Sequence, residues 1–140
     1  ERTAEQVKIE IGSALPYEEE KTVEIKGRNL LDGLPKNIII SSEEVREAMS
    51  DKVAVIVDSI KAILERPPPE LAADIIESGI TLTGGSSLLR GLEELIRQET
   101  NMPVTIADNP IDCVVAGTAK RLEPGHRFDN YVFRRGKHYR

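Results

Sequence analysis

The chain has 140 residues, with 24 acidic and 19 basic side chains and a net charge of −5 at pH 7. Its 39% hydrophobic and 31% charged residues are typical of one globular domain, or of one lobe of a larger protein. The single cysteine excludes an internal disulfide and a cysteine-rich zinc module, and it fits a reducing cytosol. No apolar run approaches the ~18 residues of a membrane-spanning helix, and the first residues do not resemble a secretory signal.

The charge is unevenly distributed along the chain. Residues 120–140 carry seven basic and two acidic side chains, about +5, whereas residues 1–119 carry about −10. The body is therefore expected to repel nucleic acid and anionic lipid. The basic C-terminal tail, residues 123–140, is either a solvated terminus or a contact for such partners.

The first half of the chain predicts a helix, two strands and a long helix. Thr3 and Gln6 resemble a capping box at the start of a helix over residues 3–12. Alternating apolar residues predict a strand over residues 22–26, and the run Ile38–Ile40 predicts its antiparallel partner. Ser41 and Glu44 form a second capping box, which begins a long helix. Three prolines, residues 67–69, end that helix.

The second half alternates strands and helices, which indicates an α/β fold class. A short helix over residues 70–77 is closed by Gly79, and a buried strand follows over residues 80–83. A pair of glycines leads from this strand into a helix over residues 88–99. A strand over residues 104–107 and a helix over residues 110–122 complete the prediction.

The strongest chemical signal is residues 80–92, with the sequence ITLTGGSSLLRGL. Gly84 and Gly85 lack a Cβ, so a ligand or another backbone can approach closely. The following helix start offers free N–H groups, with Ser86 and Ser87 as possible caps, which suits a polar ligand edge. The segment is neither a P-loop nor a dinucleotide fingerprint. A tight packing turn without a ligand is the alternative interpretation.

A second signal is Glu5 and Lys8 on the first helix, where a spacing of three residues places them on one face. One interpretation is a surface ion pair. The other is a pair that recognises a sugar diol, because a carboxylate accepts from hydroxyl groups while an ammonium donates to them. No nucleophile, acid and base arrangement marks a catalytic residue, and no metal ligands are predicted. Cys113 is expected to be a buried structural thiol.

Five segments taken together resemble one known family. They are residues 1–14 (ERTAEQVKIEIGSA), 23–29 (VEIKGRN), 68–72 (PPELA), 82–85 (LTGG) and 108–114 (DNPIDCV). In this collinear order, from residue 1 to about Leu122, they strongly resemble the MreB/Mbl family of bacterial actin homologues, which determine cell shape. Several matching segments over most of the chain make the resemblance specific.

The resemblance implies the actin-like ATPase fold (actin–Hsp70–hexokinase, ribonuclease H-like), of which this chain would be a second-lobe fragment. Residues 1–12 and 67–122 would form part of the nucleotide-facing inner subdomain. Residues 13–66 would form a small α+β outer subdomain, followed by the basic tail. We therefore expect a C-terminal lobe of a longer architecture.

The resemblance also implies an adenosine site for ATP or ADP. Glu5 and Lys8 would meet the ribose, and Gly84 and Gly85 would cradle the adenine side. The next residues would line the nucleotide through backbone and hydroxyl groups. Many members carry a third glycine where this chain has Ser86, although Hsp70-type chaperones also have serine there. The full expected set is Glu5, Lys8, Gly84, Gly85, Ser86, Ser87 and Leu88.

The family's phosphate hairpins and catalytic acids lie upstream of the matching region, and nothing here matches an Asp-x-Gly-x-Gly loop. We therefore expect a half-site that does not hydrolyse ATP alone and that needs the missing lobe for Mg²⁺. The implied function is the nucleotide-binding lobe of a filament-forming ATPase that guides cell-wall synthesis. The alternatives are a partner-docking module without nucleotide function and a nucleic-acid or lipid adaptor acting through the tail.

The implied location is the cytoplasm, at the inner face of the cell membrane. The implied partners are further copies of the protein and membrane-spanning morphogenesis proteins. Nucleic acid is not expected as a partner. Contact with the membrane is expected to be indirect, because the family's membrane-inserting elements generally lie in the other half.

Overall fold

The computed structural model of the chain describes residues 2–122 and confirms the alternation of helices and strands. The predicted basic tail, residues 123–140, lies outside the described residues. The elements in chain order are α1 (Arg2–Ile11), β1 (Thr22–Arg28), β2 (Pro35–Ser41), α2 (Ser42–Leu64), α3 (Pro69–Ser78), β3 (Ile80–Leu82), a 3₁₀ turn (Gly85–Leu88), α4 (Leu92–Thr100), β4 (Val104–Ile106) and α5 (Cys113–Leu122).

The long helix α2 begins at the predicted capping box. The Ser41 hydroxyl accepts from the Glu44 N–H at 3.2 Å, and the Ser41 N–H donates to Oε2 of Glu44 at 2.8 Å. Two of the free donors at this helix start are thereby satisfied. Pro68 has an extended backbone and Pro69 occupies the first turn of α3, so the proline run separates two helices as predicted.

Strands β1 and β2 form an antiparallel hairpin, with Thr22 opposite Ser41 and Arg28 opposite Pro35. Both strands extend further toward the turn than the apolar pattern predicts. Most of the hairpin is exposed, with only Val23, Ile25 and the end of β2 partly covered. Apolar alternation therefore marks the half of the hairpin that lies near the rest of the protein.

Strands β3 and β4 are parallel neighbours, with Ile80 opposite Val104. Parallel neighbours require a crossover, and α4 provides it. Arg97 on α4 donates to the Val104 carbonyl at 3.1 Å, which ties the helix to the strand it precedes.

The core lies where α2, α4 and β4 meet. Its buried residues are Val53, Val57, Leu92, Ile96 and Val104. The first two belong to the segment expected as the outer subdomain, and the other three belong to the inner one. One hydrophobic cluster therefore spans the expected boundary at residue 66.

Several expectations about local structure are wrong. The strand expected to be buried over residues 80–83 is β3, which ends at Leu82 and has Ile80 and Leu82 half-buried and Thr81 exposed. The last helix, α5, begins at Cys113 instead of about residue 110. Helix α4 begins at Leu92 instead of residue 88, because the Ser87 and Leu89 N–H groups bond to carbonyls three residues earlier and form a 3₁₀ turn. Thr3 does not cap α1, since the helix already begins at Arg2. Cys113 is only half-buried.

Among residues 2–122, no helix is both long and apolar enough to cross a bilayer.

Candidate functional site

Helix α1 presents Glu5 and Lys8 on its exposed side. Val7 and Ile11, four residues apart, are buried on a neighbouring stripe of the helix, with exposed fractions of 8% and 2%. This apolar stripe fixes the rotation of the helix. The predicted ribose-binding pair is exposed, and Ile9 beside it is 74% exposed.

The glycine turn is held by hydrogen bonds that its own residues make. The Gly84 N–H donates to the Pro110 carbonyl at 2.6 Å, and the Gly84 carbonyl accepts from the Ser87 N–H at 3.2 Å. The Ser87 hydroxyl donates to the same carbonyl at 2.6 Å and is buried. Gly84 has a φ of 83°, which favours glycine. Ser87 therefore stabilises the turn, and Ser86 and Leu88 project outward.

One cleft of about 1090 Å³ joins α1 to this turn. Its walls include five of the seven predicted residues: Glu5, Lys8, Gly85, Ser86 and Leu88. Gly84 and Ser87 do not line the cleft. They stabilise the turn through the hydrogen bonds described above. Its volume is slightly above the upper limit of about 1,000 Å³ that is typical of small-molecule and cofactor sites.

The space around Gly85 differs from the space around the other glycine at this cleft. A Cβ at Gly12 would meet the Lys8 carbonyl oxygen at 2.3 Å, so the end of α1 requires glycine for packing. A Cβ at Gly85 would meet nothing within 4 Å, and Gly85 does not have a positive φ. Neither packing within residues 2–122 nor backbone conformation explains the glycine at position 85. The geometry therefore leaves room for a ligand beside the backbone of Gly85.

The cleft also has walls that sequence reasoning missed. Apolar side chains that line it include Ile9 and Ile111, both exposed, beside the predicted Leu88. Ile9 was detectable in principle, since it is an apolar residue directly after Lys8 on the polar face of α1. Ile111 lies in the segment before α5, and its sequence position gives no indication that it reaches this cleft.

Basic side chains line the part of the cleft that lies toward α2. Two cations lie close to the Tyr17 ring, with Nζ of Lys21 5.1 Å and Cζ of Arg90 4.7 Å from the ring centroid. With Lys8 and Lys52, four basic side chains line the cleft against two acidic ones, Glu5 and Glu10. None of these four cations forms an ion pair within the described part of the chain. A net positive cleft in an acidic body attracts anionic ligands.

The part of the chain that the structure describes contains no candidate metal centre. Over residues 2–122, no three His, Cys, Asp or Glu side chains lie close enough together to hold a metal ion. The polar groups at the cleft include two carboxylates, three ammonium groups, a guanidinium, two hydroxyls and the backbone of a glycine turn. Groups of these types can bind anionic or hydroxyl-bearing ligands.

Comparison with known proteins gives a consistent result. The family model described as MreB/Mbl protein matches residues 1–130. The chain is 47% identical over 123 residues to the cell shape-determining protein Mbl of Bacillus subtilis and 46% identical to MreB of Escherichia coli K12. These alignments cover 88% of this chain but only 37% and 35% of those relatives. The chain therefore spans about a third of the length of the relatives it matches.

Two solved structures of MreB5 of Spiroplasma citri resemble the chain in fold. The structure bound to ADP gives a TM-score of 0.78 and the structure bound to AMPPNP gives 0.77, both at 40% sequence identity. Each match covers 85% of this chain and 36% of the MreB5 chain. The α/β architecture is accordingly a fragment of the actin-like ATPase fold.

Proposed function

The chain belongs to the MreB/Mbl family of actin-like, cell shape-determining proteins, and on that premise we propose that it supplies the adenosine half of an ATP or ADP site. The carrying observation is the empty space beside Gly85 at the wall of the cleft. Gly27 and Gly117 also have open space and no positive φ, but they do not line this cleft. At Gly85, a ligand bound beside Glu5 and Lys8 can lie against the backbone.

Each wall of the cleft has a role in this proposal. The Glu5 carboxylate accepts hydrogen bonds from the ribose hydroxyls, and the Lys8 ammonium donates to the ribose oxygens. The exposed side chains of Ile9 and Leu88 provide apolar surface for the faces of the purine ring. Ser86 offers its hydroxyl and backbone N–H to the polar edge of the base. The nucleotides bound to the MreB5 neighbours support this ligand class.

In this proposal the half-site does not hydrolyse ATP by itself. Phosphoryl transfer needs a metal ion, a phosphate cradle and a positioned water, and residues 2–122 offer no carboxylate cluster for the metal. Mg²⁺ would neutralise phosphate charge during that reaction. Residues of the upstream lobe found in the family would be needed to hold it. This chain binds and orients the nucleoside, and hydrolysis requires both lobes.

The cellular role in this proposal follows that of the family. The whole protein self-associates into filaments in the cytoplasm at the inner face of the membrane, and nucleotide binding there tunes contacts between subunits. Membrane-spanning morphogenesis proteins connect the filament to cell-wall synthesis. The alternative is a docking module that has lost the nucleotide.

The test is calorimetric titration of the purified chain with ADP and ATP. We expect weak saturable binding, because one lobe leaves much of the ligand in water. Gly85→Val fills the free space beside the turn and Glu5→Ala removes the ribose acceptor, so each should weaken binding at least tenfold. Gly27→Val and Glu24→Ala, on the exposed hairpin β1–β2, are the matched controls.

Equal binding by the parent and both site variants would refute the half-site. If the parent does not bind, the upstream lobe of a relative is added in trans. Restored binding that Gly85→Val abolishes supports the nucleotide-binding lobe. Continued absence of binding favours the docking module.

A further inference from the structure

The cleft contains a second group of polar side chains that the adenosine proposal does not use. They are one tyrosine and three basic residues, Tyr17, Lys21, Lys52 and Arg90, which we name the basic cluster. The Tyr17 hydroxyl lies 3.5 Å from the Gly12 carbonyl oxygen, just beyond the end of α1. Gly12 follows Glu5 by seven residues, about 10 Å along a helix. Tyr17 therefore lies beyond the predicted ribose pair along α1.

Hydrogen bonds of the backbone fix where two cations of the basic cluster begin. The Arg90 carbonyl accepts from the Ser13 hydroxyl at 3.2 Å and from the Ala14 N–H at 2.8 Å. The Lys21 N–H donates to the Ser42 hydroxyl at 2.8 Å, and the Lys21 carbonyl accepts from the Ser42 N–H at 2.8 Å. These backbones are in place before a ligand arrives, which lowers the entropy cost of binding one.

Tyr17 holds two positive charges near each other. Nζ of Lys21 and Cζ of Arg90 both lie within 5.1 Å of the centroid of its half-buried ring. The ring attracts each cation, but the two cations repel each other. Neither forms an ion pair with a carboxylate in the described ranges of the chain. An anion bound here would be attracted by both charges and would offset their repulsion.

Basic residues elsewhere in the structure do have acidic partners. Arg46 pairs with Glu20 at 2.7 Å, and Arg97 pairs with Glu93 at 2.5 Å. The chain has more acidic than basic residues, so a shortage of carboxylates does not explain the unpaired cations of the cleft. The arrangement favours an anion that comes from outside the described chain.

The donors of the basic cluster suit a small phosphate anion with several charges. A guanidinium binds two phosphate oxygens at once, whereas each lysine ammonium acts as a point charge. The three cations come from the segment before β1, from α2 and from the segment before α4. One singly charged anion is therefore insufficient to neutralise them. A concave cleft in an acidic body admits a small anion and disfavours an extended polyanion such as nucleic acid.

We propose that the basic cluster binds a small multivalent phosphate anion of the diphosphate class, at a site separate from the adenosine half-site. The site uses none of the seven residues predicted to contact adenosine, so it does not rest on that proposal. Lys21 and Lys52 belong to the segment expected as the outer subdomain, and Arg90 belongs to the inner one. The bound anion would therefore link the two sides of the cleft.

The first experiment is calorimetric titration of the full chain with inorganic pyrophosphate at constant ionic strength. We expect saturable binding. Lys21→Gln/Arg90→Gln should weaken it at least about tenfold, since a hydrogen bond to a charged group contributes about 1.5–3 kcal/mol. Lys52→Gln should weaken it severalfold. Lys26→Gln/Arg28→Gln removes the same charge from the exposed strand β1 and should have no effect.

Tyr17 is a positioning residue in this proposal, and its ring is the part that acts. Tyr17→Phe keeps the ring and should keep pyrophosphate binding, whereas Tyr17→Leu should weaken it severalfold. Urea midpoints of these variants and of the glutamine variants show that each one is folded. Equal binding by the leucine and phenylalanine variants would remove Tyr17 from the site.

A second measurement locates the bound anion without a substitution. In amide NMR spectra, pyrophosphate should shift the signals of residues 15–22 and 88–92. Shifts confined to residues 123–140 would assign the binding to the basic tail and overturn the proposal. No binding by the parent chain, undiminished binding by Lys21→Gln/Arg90→Gln, or an equal loss in the Lys26→Gln/Arg28→Gln control would also overturn it.

The two proposals for the cleft can fail independently. Glu5→Ala and Gly85→Val should bind pyrophosphate like the parent chain, and Lys21→Gln/Arg90→Gln should bind the uncharged nucleoside adenosine like the parent chain. Adenosine binding without pyrophosphate binding would leave only the half-site, and the reverse would leave only the anion site. Competition between pyrophosphate and ADP for one site would show that the basic cluster holds the phosphates of the same nucleotide, which would overturn a separate site.

Discussion

Arg46 on α2 donates from Nη2 to Oε1 of Glu20 at 2.7 Å, which joins the segment before β1 to the first turns of the long helix. The fully buried Ser42 donates to the same carboxylate and accepts from the Lys21 N–H at 2.8 Å. Glu20 therefore receives a guanidinium and a hydroxyl at one place. These contacts position the hairpin against the helix that follows it.

The Glu20 contacts predict a specific acid dependence of stability. Hydrogen bonding to Arg46, and then to Ser42, lowers the pKa of Glu20 below its ordinary value of 4.5. A carboxyl group with a lowered folded-state pKa stabilises the fold above its unfolded pKa and loses that contribution as the pH falls through the folded value. Urea unfolding from about pH 6 to about pH 3 should show this loss, and Glu20→Gln should reduce the slope. Parallel curves for both proteins would contradict the prediction.

Ile96 is the least exposed residue of the core, with an exposed fraction of 0%. Ile96→Ala should destabilise the fold by about 2–5 kcal/mol, because it loses the transfer free energy of the removed atoms and leaves a cavity in the core. Ile63→Ala is the matched control at 62% exposure and should cost much less. Urea midpoints measure both, and equal costs would show that the core is not where α2, α4 and β4 meet.

The capping box makes a smaller and more local prediction. Ser41→Ala removes the acceptor for the Glu44 N–H and should cost about 1 kcal/mol. Ser50→Ala changes an exposed serine inside the same helix, so little or no loss is expected there. Thermal unfolding of the two variants side by side is the measurement. A larger loss in the Ser50 variant would be inconsistent with the cap.

Two glycines should respond in opposite directions to the same substitution. Gly79 has a φ of 72° and a ψ of −166°, and a Cβ there would meet the Pro103 carbonyl oxygen at 2.5 Å. Gly79→Ala should destabilise by about 1–3 kcal/mol from backbone strain alone. Gly117 lies inside α5 with open space around it, so Gly117→Ala should stabilise by up to about 1 kcal/mol. Unfolding free energies of the same sign would refute this pair.

Most elements could be predicted because local signals agreed with packing. The capping box at Ser41, the prolines that follow α2 and the alternation in β1 each have one physical meaning, and the structure follows them. The predicted start of α4 was wrong because the leucines at 88, 89, 92 and 95 keep a helical spacing across the junction between the 3₁₀ turn and α4. The positive φ of Gly91, 75°, interrupts the helix where apolar periodicity cannot register it.

The candidate site was predictable to a similar extent. Glu5, Lys8 and Gly85 meet at one cleft, although their roles toward a nucleotide stay predictions. The inward hydrogen bond of the Ser87 hydroxyl was not predictable, because serine is compatible with a cap, a ligand contact or a turn. Tyr17 and its flanking cations were missed, since contacts across 73 residues leave no local pattern.

The junction between α1 and α4 also bears on the order of folding. Just after α1, the Ser13 hydroxyl and the Ala14 N–H both donate to the Arg90 carbonyl, and Ser13 and Arg90 are 77 residues apart. Closing that loop costs about 1 kcal/mol more in chain entropy than closing the much shorter one between Ile80 and Val104. We therefore expect the unit β3–α4–β4 to form from neighbouring sequence before α1 docks on it, so that the two sides of the cleft come together late in folding.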